Sequence, residues 1–181
     1  NIADVINTEC EKLISRHPHI YPSADGKKIA VADEEEVKRN WEKLKMKEGK
    51  QSVLEGVPRS LPSMVKAQRI QEKARGAGFD WEKPEQVWEK VEEELNEFQE
   101  AVSRKDQKDM SDELGDVFFA LINYARFHNL NPDEALERTN RKFISRFRYM
   151  EDKVRESGKT LHELSLAEMD VYWNQAKTTE I

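Results

Sequence analysis

Two short stretches of this sequence hold acids at spacings that can do chemistry: Val91-Glu92-Glu93-Glu94-Leu95-Asn96-Glu97 and Ser111-Asp112-Glu113-Leu114-Gly115-Asp116. On helices, Glu94 and Glu97 lie one turn apart, and so do Glu113 and Asp116. The two pairs are also placed evenly about a turn near Lys105, so antiparallel helices joined there bring all four acids to one height. Helix axes roughly 8–10 Å apart let such side chains converge. Carboxylates packed together in a partly desolvated site repel one another and take up protons unless positive charge is supplied. An all-oxygen set without His or Cys selects a hard divalent ion, Mg²⁺ first with Mn²⁺ as its substitute. A di-iron site would need Glu-x-x-His pairs, and neither stretch has the histidine.

The competing reading is that acids on charged helices are solvated faces, and for Glu92, Glu93 and Asp112 as ligands that reading suffices. Glu94 is different. It falls in the middle of the apolar stripe formed by Val87, Val91, Phe98 and Ala101, where a carboxylate needs a reason. On the second helix the expected stripe is Met110, Leu114, Val117, Leu121 and Tyr124, with Glu113 and Asp116 along one flank.

A cation held by acids binds anionic oxygen, and a polyanionic substrate needs further positive partners. The helix expected after Pro132 has a core stripe of Leu136, Phe143, Phe147, Met150 and Val154, with Asn140 standing where a leucine would be expected. Lys142 and Arg146 flank it one turn apart. Asn as donor, Lys as point charge and Arg as fork suit a polyphosphate, although Arg141, Lys142 and Arg148 each read equally well as solubilising surface. No Gly-x-x-x-x-Gly-Lys-Ser/Thr loop is present, so phosphate would be held by metal and side chains. Arg16-His17-Pro18-His19 reads as a helix-ending turn, His128 as a helix end and His162 as surface. Phe79, Trp81 and Trp173 can stack a base, with core or interface packing the favoured role of each.

The elements that must position these groups follow from the apolar spacing and the caps. Of 181 residues, 37% are hydrophobic and 36% charged, with a net charge of −6. That inventory does not fill one large core; it suits long solvated helices that share a core between subunits. Helices are predicted over 3–16, behind Asp33 (Asp33 and Glu36 as caps, Val37, Trp41 and Leu44 as stripe, Gly49 as stop), and over 62–75, 84–104, 107–128 and 132–156, with a last one capped by Ser165 and Glu168. Gln51–Leu61 reads as an irregular arm. No strand alternation occurs, so the fold is expected to be all-α.

The longest apolar run, Val117–Ile122, is far short of the roughly 20 residues that span a bilayer, so no membrane partner is expected. The acidic balance argues against binding a nucleic-acid polymer. A lone Cys10 permits no internal disulfide and points to a reducing, cytoplasmic setting.

Glu93-Glu94-x-x-Glu97, Glu113-x-x-Asp116 and Asn140-x-Lys142-Phe143-x-x-Arg146-Phe147 together resemble the MazG family of nucleoside triphosphate pyrophosphohydrolases. Val57-Pro58-Arg59-Ser60-Leu61-Pro62, Gly78-Phe79-Asp80-Trp81 and the closing Trp173 are similar to its catalytic C-terminal half, and the likeness covers residues 37–176. The resemblance implies an all-α bundle completed by dimerisation or a higher homo-oligomer, and Mg²⁺-dependent hydrolysis of NTP or dNTP to monophosphate and pyrophosphate. By position it implies Glu94, Glu97, Glu113 and Asp116 as metal ligands, Asn140, Lys142 and Arg146 at the phosphates, and Trp173 near the nucleotide. It also divides the chain into residues 1–20, the tail of an upstream repeat; 21–56, a linker with one helix; and 57–181, the catalytic domain. Asn1 without an initiator Met is read as a cut inside that upstream repeat. The expected chemistry is in-line attack of water, with Glu93 or Glu97 taking its proton. Two rivals stand beside it: a narrower dUTP, dCTP or phosphoribosyl-ATP pyrophosphohydrolase, and a non-catalytic helical dimerisation module.

Overall fold

The computed structural model describes residues 1–21, Val37 and residues 52–179. Among these, every regular element is helical: α1 (Ile2–Arg16), α2 (Ser63–Gly76), α3 (Pro84–Arg104), α4 (Gln107–Phe127), α5 (Pro132–Glu156), a 3-10 turn (Leu161–Glu163) and α6 (Leu166–Thr179). The all-α expectation holds. The helix expected behind Asp33, with Glu36, Trp41, Leu44 and Gly49, lies outside the described residues apart from Val37. No described helix is long and apolar enough to cross a membrane.

Local chemistry sets the helix ends. Pro84 starts α3 with its ring in place of an amide that would have no partner, and the Gln86 side chain accepts from the backbone of Glu82 and Lys83, both at 3.1 Å. Lys105 then turns left-handed (φ 57°) to end α3. Asp106 caps α4 by accepting from the backbone N–H groups of Lys108 and Asp109 at 3.0 and 3.1 Å. Two residues therefore suffice to reverse the chain, and α3 and α4 pack as an antiparallel hairpin. Asn131 caps α5 in the same way as Asp106. Ser165 and Glu168 exchange hydrogen bonds at the start of α6 as their spacing predicts.

The chain divides into two compact units, Asn1–His128 and Asn129–Ile181. In the first, Val87, Val91 and Ala101 of α3 and Val117 and Ala120 of α4 are buried. Helix α2 packs on α4, where the Gln71 side-chain amide donates to the carbonyl of Phe119 at 2.8 Å. The stripe expected on α4 needs correcting here. Leu114 and Leu121 are exposed, while Ile122 and Asn123 are buried, because α4 serves α2 as well as α3 and its buried arc is rotated towards that second partner.

In the second unit α5 packs on α6, and Met150, Val154 and Ala176 are buried. Leu136 and Phe143, expected in the core, are exposed. Phe143 instead stacks beside Phe147 and Trp173, with ring centroids at 6.0 and 5.0 Å. Phe79 is 77% exposed and so is not a core residue.

The segment after α2 is pinned by charge. Gly78 takes a positive φ of 91° and redirects the chain so that Asp80 meets Arg126 of α4. The two side chains form a bidentate pair, one arm at 3.0 Å, and Arg126 also donates to Asn123 at 2.8 Å. With its side chain 10% exposed, Arg126 left without Asp80 would be a nearly buried, unpaired charge. Asp80→Ala is therefore expected to lower unfolding free energy by about 2–3 kcal/mol in urea melts. Arg126→Lys should recover only part of the Arg126→Ala loss, since an ammonium cannot match the fork; full recovery would argue against the bidentate geometry as the source.

Candidate active site

The α3/α4 hairpin brings three of the predicted acids together. One carboxylate oxygen each from Glu94, Glu113 and Asp116 lies within 4.8 Å of the others. Glu94 is buried at 7% exposure, Glu113 is half-buried and Asp116 is exposed, so the group runs from the interior of the hairpin out to its surface. Glu94 occupies the stripe position that the spacing of Val87, Val91 and Ala101 assigns to it. Three hard oxygen donors at this separation can surround one small divalent cation, whose oxygens stand roughly 2.0–2.6 Å from the metal.

Glu97 lies outside that trio and is exposed. Its carboxyl is nevertheless held above the usual carboxylate range, first by desolvation against the surrounding protein and then by the negative charges of Glu94 and Glu113. Glu97 thus faces the same field without sharing the gathered oxygens. Glu93, also exposed, is tied to Lys90 at 2.9 Å.

Lys90 is the group that sequence reasoning passed over. Its ammonium bridges Glu93 and Glu94, at 2.9 and 2.8 Å, and these two hydrogen bonds hold its pKa well above the usual lysine range. The signal was present: Lys90 stands three and four residues before the two acids, the spacing at which helical side chains meet.

The remaining predicted residues belong to the second unit. Asn140 and Lys142 are exposed on α5 and Arg146 is half-buried. Asn140 and Arg141 both hydrogen-bond Glu137 and keep its carboxyl below the usual range, the Arg141 bond, at 2.8 Å, being the larger cause. Arg146 lies over the Trp173 ring at 5.9 Å, and the half-buried Trp173 packs on Phe143.

Fold and site together define an all-α protein built on an acidic helix hairpin, with donors suited to a hard cation. A family profile described as the MazG nucleotide pyrophosphohydrolase domain matches residues 82–150, which include that hairpin and most of α5. Over 179 residues the chain is 40% identical to a nucleoside triphosphate pyrophosphohydrolase/pyrophosphatase MazG of Thermotoga maritima, covering 97% of this chain and 66% of that protein. It is 34% identical to a nucleoside triphosphate pyrophosphohydrolase of Escherichia coli K12 (98% and 68%) and 44% identical to the uncharacterized protein YabN of Bacillus subtilis (99% and 36%). The chain belongs to the MazG family. It spans about two thirds of the Thermotoga and Escherichia proteins and about a third of YabN.

If like charge raises Glu97, removing one neighbour must lower it. In Glu113→Gln the Glu97 carboxyl should titrate closer to an ordinary glutamate, followed by carbon NMR of the side chain across pH. The sign is that of a carboxylate whose folded pKa is raised: Glu97 takes up its proton earlier as pH falls than it would in the unfolded chain, relieving repulsion, and Glu113→Gln narrows that window from above. An unchanged Glu97 titration would mean that the two acids do not share a field.

Proposed function

We propose that this chain hydrolyses nucleoside triphosphates to the monophosphate and pyrophosphate, with Mg²⁺ as the working cation and Mn²⁺ as its substitute. The observation that carries the reading is the convergence of Glu94, Glu113 and Asp116 from two helices, within the stretch that the family profile matches. The Thermotoga and Escherichia relatives carry names that state this activity. Residues 57–181 are the catalytic region in this proposal.

Glu94, Glu113 and Asp116 are the residues that would hold the cation, with Glu97 as the fourth acid of the set. Bound there, a divalent ion neutralises phosphate oxygens and makes water easier to deprotonate. The protein's own task is to move a proton. Of the two candidate bases, Glu97 is favoured over Glu93: it is open to water, whereas Glu93 is bound to the Lys90 ammonium. Lys142 and Arg146 meet the phosphate chain, Asn140 donates to it, and Trp173 packs beside the nucleoside.

A second copy of the chain is the proposed partner besides the nucleotide. By the 3.6-residue period Trp88, Leu95 and Val102 share one face of α3, and Leu114, Phe118 and Leu121 one face of α4. In an antiparallel hairpin these faces lie on the same side, away from Lys90 and Glu97. All six residues are between 39% and 53% exposed, an apolar strip that a partner subunit would cover. The exposed thiol of Cys10 suits a reducing cytosol, where the nucleotide pool lies.

Asp116→Asn and Glu97→Ala are each expected to cut Mg²⁺-dependent pyrophosphate release by about 100-fold or more with unchanged far-UV circular dichroism. Turnover at the wild-type level in both would refute the site. A panel of the common NTPs and dNTPs, with dUTP, dCTP and phosphoribosyl-ATP, separates broad hydrolysis from the narrower enzymes. No release from any of them would favour the dimerisation module.

A further inference from the structure

We infer that Lys90 is the built-in counter-ion of the acid cluster and competes with the divalent cation for Glu94, so that this lysine sets how tightly the cation is held. The inference rests on the metal reading above and adds to it a residue whose role there is opposition rather than ligation.

Glu94 is the innermost of the three gathered acids, its side chain 9% exposed. A carboxylate so placed is costly to leave without a positive partner. The partner is on the same helix: the Lys90 ammonium lies 2.8 Å from Oε1 of Glu94, within hydrogen-bonding reach, while 2.9 Å separates it from Oε1 of Glu93. Glu94 therefore has two claims on it. One oxygen of its carboxylate belongs to the trio within 4.8 Å of one another, and Oε1 of the same carboxylate already accepts from an ammonium.

An oxygen bonded to an ammonium is a poorer ligand, and a fixed positive charge a few Å away repels any cation that the trio would hold. Lys90 must withdraw from Glu94 before that carboxylate can turn fully to the cation. It can do so cheaply: its side chain is 35% exposed, and a four-carbon stem swings to solvent without disturbing the buried Val87 and Val91. While it stays, it keeps the hairpin closed against the repulsion of its own acids. This arrangement trades affinity for a hairpin whose innermost acid has a positive partner before any cation arrives.

The test uses the nucleotide-free chain and Mn²⁺ alone. Binding is followed by the loss of the free-ion paramagnetic resonance signal in the wild type, Lys90→Met, Lys90→Gln, Lys90→Arg and Asp116→Asn. Both neutral variants are expected to bind Mn²⁺ about tenfold more tightly than the wild type, Lys90→Arg to stay near it and Asp116→Asn to bind more weakly. Neutral variants that bind no more tightly than the wild type overturn the inference. A wild type that binds no Mn²⁺ overturns instead the metal reading on which it stands. Nitrogen NMR of the lysine ammonium groups supplies a readout on the unaltered chain. On addition of Mg²⁺ the Lys90 signal should move from a carboxylate-bound to a solvent-exposed position, and a signal that does not move counts against the exchange.

Discussion

Carboxylates forced together between α3 and α4 govern the rest of this molecule. Glu94 is buried, and Glu113 and Asp116 bring their oxygens within 4.8 Å of it and of each other. Left to themselves these like charges would drive the hairpin apart. The hairpin answers with the half-buried Lys90 ammonium beside Glu94 and with apolar packing of Val87, Val91, Ala101, Val117 and Ala120 along the seam. That packing holds the helices close enough for the acids to meet, and the acids in turn make a cation welcome. Structure and chemistry meet in one requirement: positive charge must be available at that height of the hairpin, from the protein or from solution.

Much of what surrounds the hairpin serves to keep its two helices in register. The two-residue reversal at Lys105 and Asp106 fixes how far each acid stands from the turn. The Asp80–Arg126 pair ties the segment ahead of α3 to the far end of α4, so both helices are anchored at the end away from the turn. Helix α2 then grips α4 through the Gln71 amide. With the turn at one end and the ion pair at the other, a slide of one helix along the other by a single residue would break both. Such a slide would also separate Glu94 from Glu113, which is why stability and site geometry are coupled here.

The hairpin presents two unlike sides. One carries Lys90, Glu93, Glu97 and the acid trio; the other carries Trp88, Leu95, Val102, Leu114, Phe118 and Leu121. A chain with 36% charged residues and only a slender buried core has few apolar residues to spare on its surface. Finding them in line on the side away from the acids is the physical argument for a second subunit there. It also explains why composition suggested a core shared between copies.

Local pattern was enough to determine the α-helices between Ser63 and Thr179, the cap at Ser165, and the height at which the acids meet. Each depends on chain neighbours within one or two turns or on equal distances from a tight turn. Glu94 stood out for the same reason, because an acid inside an apolar stripe is visible in the spacing alone. Tertiary structure decided what spacing cannot carry. Leu114 and Leu121 proved exposed and Ile122 buried because α4 has two packing partners, and a period specifies a face without saying how many neighbours will claim it. Glu97 proved exposed and outside the trio because one turn along the helix rotates it past the seam. Whether Lys90 would reach Glu94 or extend into water was likewise a matter of burial: the pair forms where the carboxylate has lost its solvent, and only the packed hairpin removes it.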